Sequence, residues 1–183
     1  VVAQEKLAAQ AGAEILRQGG NAVDAAVATG FALAVTYPRA GNIGGGGFMV
    51  IHSAERNEDI AIDYRETAPA ATRRDIFLGA DGKPDTDKSR NSALGIGVPG
   101  TVAGLALASE KYGSGRFTLA HILQPAIELA RGGLVVADDT ADTLSDMYRR
   151  MARWPNPARM FWRDDGTALQ EGDRRPLWDV LDE

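Results

Sequence analysis

The segment NAVDAAVATGFALAVT, residues 21–36, is apolar on nearly every side of a helix, and this constrains the chain more than any other stretch. A helix without a polar face is stable only when other elements surround it, so this one should be buried. Asn21 is placed to cap its first free amides, Asp24 lies in its first turn, where the helix dipole favours negative charge, and Pro38 ends it. Directly before it, EKLAAQAGAEILRQGG (residues 5–20) is rich in Ala and carries Leu7, Ala11 and Ile15 on one stripe. That helix stops at Gly19-Gly20, the usual left-handed terminus.

After Pro38 the chain changes character. RAGNIGGGG (residues 39–47) packs five glycines into nine residues and leads into FMVIHS (48–53), which reads as a strand. The polar turn AERNED follows, then IAIDYRE alternates with period two, so residues 47–53 and 59–65 are expected to form a hairpin with Arg65 at its far end. Residues 79–92, GADGKPDTDKSRNS, combine turn formers and charge without a period and read as an exposed loop. A helix starting at Thr101 should turn Val102, Leu105 and Ala106 inward and stop at Gly113. Another, capped by Thr118, contains Pro125, which removes a backbone donor and is expected to kink it. A last helix over 138–153 places Leu144, Met147, Tyr148 and Met151 on one face and is closed by WPNP. There is no repeat or linker strong enough to divide the chain, so a single α+β domain over residues 1–183 is expected.

Charge and composition exclude several function classes. The formal net charge is −5 without a basic stripe, which argues against nucleic-acid binding. The absence of cysteine removes disulfides, thiolate metal sites and a cysteine nucleophile. The longest apolar run, AVATGFALAV (26–35), is too short to span a bilayer, and the chain begins without a basic-then-apolar leader, so it reads as a processed protein with no membrane span.

Few residues qualify for chemistry. The glycines Gly44–Gly47 do not match a phosphate cradle, because they run from helix to strand and no Lys-Ser/Thr follows. They are expected where the backbone takes positive φ or meets another backbone closely. His52 and His121 lack acidic partners at metal-ligand spacing, and no Ser or Thr sits in an elbow or triad context, so no catalytic residue, metal site or cofactor is assigned. RRDIF and MYRRMARW read as solvated faces, and Trp154, Trp162 and Trp178 as packing residues. Arg65 has two readings. It can close a local ion-pair cluster with Asp63 and Glu66, or its fork of donors can receive a ligand carboxylate bidentately.

Four blocks then carry a resemblance. GGNAVDAAVA (19–28), GNIGGGGFM (41–49), AIDYRETAP (61–69) and GVPGTVAGL (97–105) stand in the order and spacing of the γ-glutamyltranspeptidases, and the chain closely resembles the start of their large subunit. QPAIELARGG and FWRDDGTALQEGD extend the likeness to about Asp173. The resemblance implies an N-terminal nucleophile hydrolase, here part of an αββα sandwich of two stacked sheets between helical layers. It implies a self-cutting precursor whose small-subunit chain begins with the threonine nucleophile. That threonine attacks the γ-glutamyl amide of glutathione or a related compound, and the acyl group passes to water, an amino acid or a peptide. Arg65 in DYRE matches the family arginine that pairs with the α-carboxylate of the γ-glutamyl group. The resemblance further implies export, to the periplasm or outside the cell.

Departures from the family pattern set the remaining expectations. The nucleophile, the oxyanion-hole glycines and most of the substrate-amine grip belong to the small subunit, so this chain alone should be inert. Its end, RRPLWDVLDE, leaves the usual continuation and reads as truncation of the large subunit, with open strand edges and apolar surface that a partner chain or self-association would cover. Two rivals stay open: a cephalosporin or glutaryl acylase of the same family, and an inactive fragment that acts as an interaction module.

Overall fold

The computed structural model describes residues 1–151 and 160–175; Trp154, Trp178 and the WPNP segment lie outside them. Within the described residues the protein is mixed α and β and folds as two compact units, Val1–Asn42 with Leu105–Glu183, and Ile43–Gly104.

In the first unit, α1 (Lys6–Arg17) and α2 (Ala22–Thr36) follow one another with Gly19 at φ 92°, the left-handed stop read from the sequence. The face of α1 that packs inward is Ala8, Ala11, Gly12 and Ile15, whereas Leu7 is 40% exposed. Ala11 and Ile15 of the expected stripe are therefore in place and Leu7 is not, because the helices meet closely at Gly12. A Cβ on Gly12 would lie 2.2 Å from Thr29 Oγ1 and 2.8 Å from the Ala25 carbonyl. As its composition requires, α2 is the buried helix, with Val27, Ala28 and Ala32 fully enclosed.

The start of α2 is held by a closed polar network. Asn21 Oδ1 accepts from the amides of Val23 (2.9 Å) and Asp24 (3.0 Å), and Asp24 Oδ2 accepts from the Asn21 amide at 2.9 Å, a reciprocal capping box. The same two side chains reach the end of α4 (Thr101–Tyr112). Asn21 Nδ2 donates to the Tyr112 carbonyl at 2.8 Å, and the Ser114 amide donates to Asp24 Oδ2 at 3.1 Å. Gly113 is required there, since a Cβ would stand 2.7 Å from Asp24 Oδ1. Along α4, Leu105 lies inward as expected, together with Thr101 and Ala108, whereas Val102 is 47% exposed.

Helix α5 (Leu119–Gly132), capped by Thr118, continues through Pro125 and buries Ile122 and Ala126. A two-residue strand β3 (Leu134–Val135) pairs with β4 (Arg174–Arg175). Val136, Leu144 of α6 (Asp138–Met151) and Leu169 form a small core beside them. Arg163 closes the following turn by a two-point contact with Asp173, at 2.8 Å and 2.9 Å, which holds the Asp173 carboxyl below its ordinary range.

The second unit contains the hairpin, β1 (Phe48–Ser53) with β2 (Glu58–Asp63), antiparallel in the register Phe48↔Asp63 and Val50↔Ala61. Asn57, at φ 50°, makes the turn. The stretch expected as loop contains a short helix, α3 (Thr86–Asn91), capped by Asp85 and without a buried residue. With no buried face it has no apolar period for a sequence reading to find.

Two outcomes follow. Replacing Asp24 by Ala strips the Asn21 and Ser114 amides of their acceptor and should cost about 2–3 kcal/mol, read as a lower urea midpoint. The Asp173 carboxyl should titrate below 3.8, so its contribution to stability is present above that pH and lost as pH falls through its own midpoint. In an NMR titration, Arg163→Ala should return that midpoint toward 3.8.

Candidate functional site

Three of the four sequence blocks meet at one place in the second unit. Just beyond β2, the segment Tyr64–Thr67 is held on two sides by main-chain hydrogen bonds. The Tyr64 amide donates to the Gly47 carbonyl at 3.0 Å, while Thr67 and Val98 exchange bonds of 2.8 Å and 3.3 Å. The remaining side is closed by Gly45, whose carbonyl accepts from the amides of Gly100 (2.8 Å) and Thr101 (3.0 Å) at the start of α4. Those amides would otherwise be unsatisfied helix donors, so the glycine loop caps the helix with its own backbone.

This crossing explains the glycines. None of Gly44–Gly47 takes positive φ, so conformational freedom is not the reason for the run. Close approach is. A Cβ on Gly46 would lie 2.5 Å from the Tyr64 carbonyl oxygen and 2.8 Å from Arg65 Cα. On Gly100 it would lie 2.0 Å from the Tyr64 carbonyl oxygen, and on Gly97 2.8 Å from Glu66 Cβ. Around Gly44, by contrast, nothing stands within 4 Å.

Arg65 emerges from this crossing onto the exposed face of the hairpin. Its guanidinium Cζ lies 6.0 Å from the centroid of the Phe48 ring, at the outer reach of a cation–π contact and worth about 0.5–1 kcal/mol at an exposed site. Nε stands 3.6 Å from Glu66 Oε2, with the two side chains 65% and 37% exposed, an ion pair of ~0–1 kcal/mol. Asp63 does not join that pair. Its Oδ1 accepts from the Arg65 backbone amide at 3.0 Å and so fixes the main chain. Among the described residues no acceptor engages the two terminal nitrogens, and those form one of the guanidinium edges that can meet a carboxylate in two parallel bonds.

The other sequence candidates lie elsewhere. His52 pairs with Asp59 across the hairpin at 2.8 Å, with both side chains largely exposed. His121 stacks on Phe117 with ring centroids 4.8 Å apart and shares a 2.8 Å hydrogen bond with Gln18. Among the described residues no group of His, Asp and Glu is arranged to hold a metal ion, and no helix is long and apolar enough to cross a membrane. Trp162 is buried. Sequence reasoning misses Tyr64, whose phenol is pushed above its ordinary pKa by burial. Its position beside glycines distant in sequence leaves no local signal.

Comparison with known proteins decides what this arrangement belongs to. The family model described as gamma-glutamyltranspeptidase matches residues 8–178. The chain belongs to the γ-glutamyltranspeptidase family. It is 49% identical over 174 residues to the glutathione hydrolase proenzyme of Escherichia coli, a match covering 94% of this chain and 29% of that protein. It is 38% identical over 180 residues to the acylase ACY 1 proenzyme of a Pseudomonas species, covering 95% of this chain and 32% of the other. The crystal structure of the Helicobacter pylori γ-glutamyltranspeptidase superposes with a TM-score of 0.93 at 40% identity, over 99% of this chain and 51% of that one. The fold is thus that of the γ-glutamyltranspeptidases, the N-terminal nucleophile hydrolase type. The chain spans about a third or less of the proenzymes it matches.

The glycines of this family block are therefore predicted to be unequal. Gly46→Ala places a methyl against rigid backbone and should lower stability by about 1–3 kcal/mol, whereas Gly44→Ala should be neutral or slightly stabilising. Urea midpoints of the two variants, compared with the parent, check this.

Proposed function

We propose that this chain is the N-terminal portion of the large subunit of a γ-glutamyl transferase and hydrolase, in which Arg65 receives the α-carboxylate of the γ-glutamyl group. The observation that carries the reading is the Arg65 fork itself. Its main chain is fixed by the Asp63 carboxylate and the glycine crossing, while its side chain is largely exposed and no acceptor among the described residues engages its terminal nitrogens. A ligand carboxylate bound there keeps its charge throughout the reaction, so Arg65 holds ground state and transition state about equally. Its loss should appear mainly in KM.

The chemistry is assigned to a second chain that begins with threonine. Its hydroxyl oxygen attacks the γ-glutamyl carbonyl carbon, its own α-amine takes the hydroxyl proton, and that proton leaves with the departing amine as the C–N bond breaks. The acyl-enzyme then passes its γ-glutamyl group to water or to the amine of an amino acid or peptide. Glutathione as substrate is supported by the Escherichia coli relative, a glutathione hydrolase proenzyme. For the setting we propose the periplasm or the cell exterior, as the family resemblance implies. The acylase relative supports a second reading, with a glutaryl or cephalosporin side chain as the acyl group; an acid group meets Arg65 in that case too.

The test begins with intact mass and N-terminal sequencing of whatever copurifies with this chain, followed by assays with a γ-glutamyl anilide and a glutaryl amide. A threonine-started partner with γ-glutamyl turnover is expected, and preference for the glutaryl substrate would favour the acylase reading. In that assembled enzyme Arg65→Lys should raise KM about 10- to 100-fold, because a point charge replaces a two-point contact. Unchanged KM and kcat would remove the assignment. The isolated 183-residue chain should show no turnover; activity surviving rigorous purification contradicts the missing nucleophile.

A further inference from the structure

Arg65 has weak side-chain restraints, one ion pair at 3.6 Å and one ring at 6.0 Å, so its guanidinium is placed chiefly by where its Cα is held. Besides Asp63 and Gly46, that Cα is held by the preceding residue. Consecutive residues of an extended segment face opposite ways, and here Arg65 is exposed while Tyr64 is half-buried. The Tyr64 ring fills a slot that exists only because two positions lack side chains. A Cβ on Gly104, in the first turn of α4, would lie 2.2 Å from Tyr64 Cγ and 2.6 Å from Cδ1. One on Gly47 would lie 2.9 Å from Cε2 and 3.1 Å from the hydroxyl oxygen. The ring is thus wedged between the glycine loop and α4, and the Tyr64 carbonyl is walled by Gly46 and Gly100.

We propose that Tyr64 is a positioning residue for Arg65: its ring, seated between Gly47 and Gly104, sets the depth and direction at which the guanidinium meets a substrate carboxylate. The proposal rests on the reading of Arg65 given under Proposed function. With the ring removed, the two glycine faces bound an empty slot, and the segment is free to slide into it. A displacement of about 1 Å is enough to cost up to ~100-fold in an oriented contact. The hydroxyl has no part in this argument, so the role belongs to the ring's volume.

The experiment uses the processed two-chain enzyme and steady-state kinetics with a γ-glutamyl anilide, with melting temperature followed for every variant. Tyr64→Phe should match the parent in KM and kcat. Tyr64→Ala should raise KM about tenfold or more while changing kcat far less, the pattern of a displaced binding group. Gly104→Ala, which forces a methyl into the ring, should raise KM as well, and Tyr64→Ala combined with Gly104→Ala should be less impaired than the two single effects multiplied. Should Tyr64→Ala fail to assemble, Tyr64→Leu, which half-fills the slot, should show an intermediate KM. A lower melting temperature with KM unchanged in Tyr64→Ala or Tyr64→Leu overturns the proposal and leaves Tyr64 a structural wedge. If Arg65→Lys raises KM while the Tyr64 and Gly104 variants do not, positioning by Tyr64 fails and the reading of Arg65 stands. If Arg65→Lys leaves KM unchanged, the reading of Arg65 fails and this proposal falls with it.

Discussion

The second unit depends on main chains that approach to distances no side chain permits. The Tyr64–Thr67 segment runs against Gly46 and Gly47 and against Gly97, Gly100 and Gly104, and the atoms it turns toward them are backbone, the Tyr64 ring and the stem of Glu66. Such a crossing brings two consequences together. It satisfies donors at the start of α4 through the Gly45 carbonyl, and it leaves one charged residue, Arg65, standing outward from the tightest point. Rigidity at the main chain and exposure at the guanidinium are the combination a binding arginine needs, since a flexible mount would lose much of what a two-point contact gains.

A second device of the same kind operates in the first unit with opposite chemistry. Asn21 and Asp24 gather six hydrogen bonds at the start of α2, three of them to the segment that ends α4. Here polar side chains, not their absence, tie distant segments together. Asp24 is 2% exposed yet accepts from the Asn21 and Ser114 amides, and that is how a carboxylate is tolerated beside an apolar helix.

Local chemistry is legible in the amino-acid string. The Gly19 stop, the Asn21 and Thr118 caps, the buried character of α2 and the alternation of the hairpin each depend on a few neighbouring residues, and each is found in place. What the string hides depends on distance. The glycine run points to close approach, but not to which backbone approaches. The inward faces of α1 and α4 keep Ala11, Ile15 and Leu105 as their periodicity predicts, but Leu7 and Val102 stay exposed while the small residues Ala8, Gly12 and Ala108 pack inward. Arg65 is ambiguous for a related reason. Whether Asp63 neutralises the guanidinium or fixes the backbone is invisible in the letters DYRE, and in the folded chain it does the second.

The open surroundings of Gly44 have a practical side. The chain has no cysteine, so one introduced at residue 44 would be its single thiol. Gly44 has no atoms close to the position of a Cβ, yet it lies two residues from Gly46, which abuts Arg65. A fluorophore attached there would sit in the loop that backs Arg65 without entering the crossing, and would turn that loop into a place from which the arrival of the proposed carboxylate ligand can be watched directly.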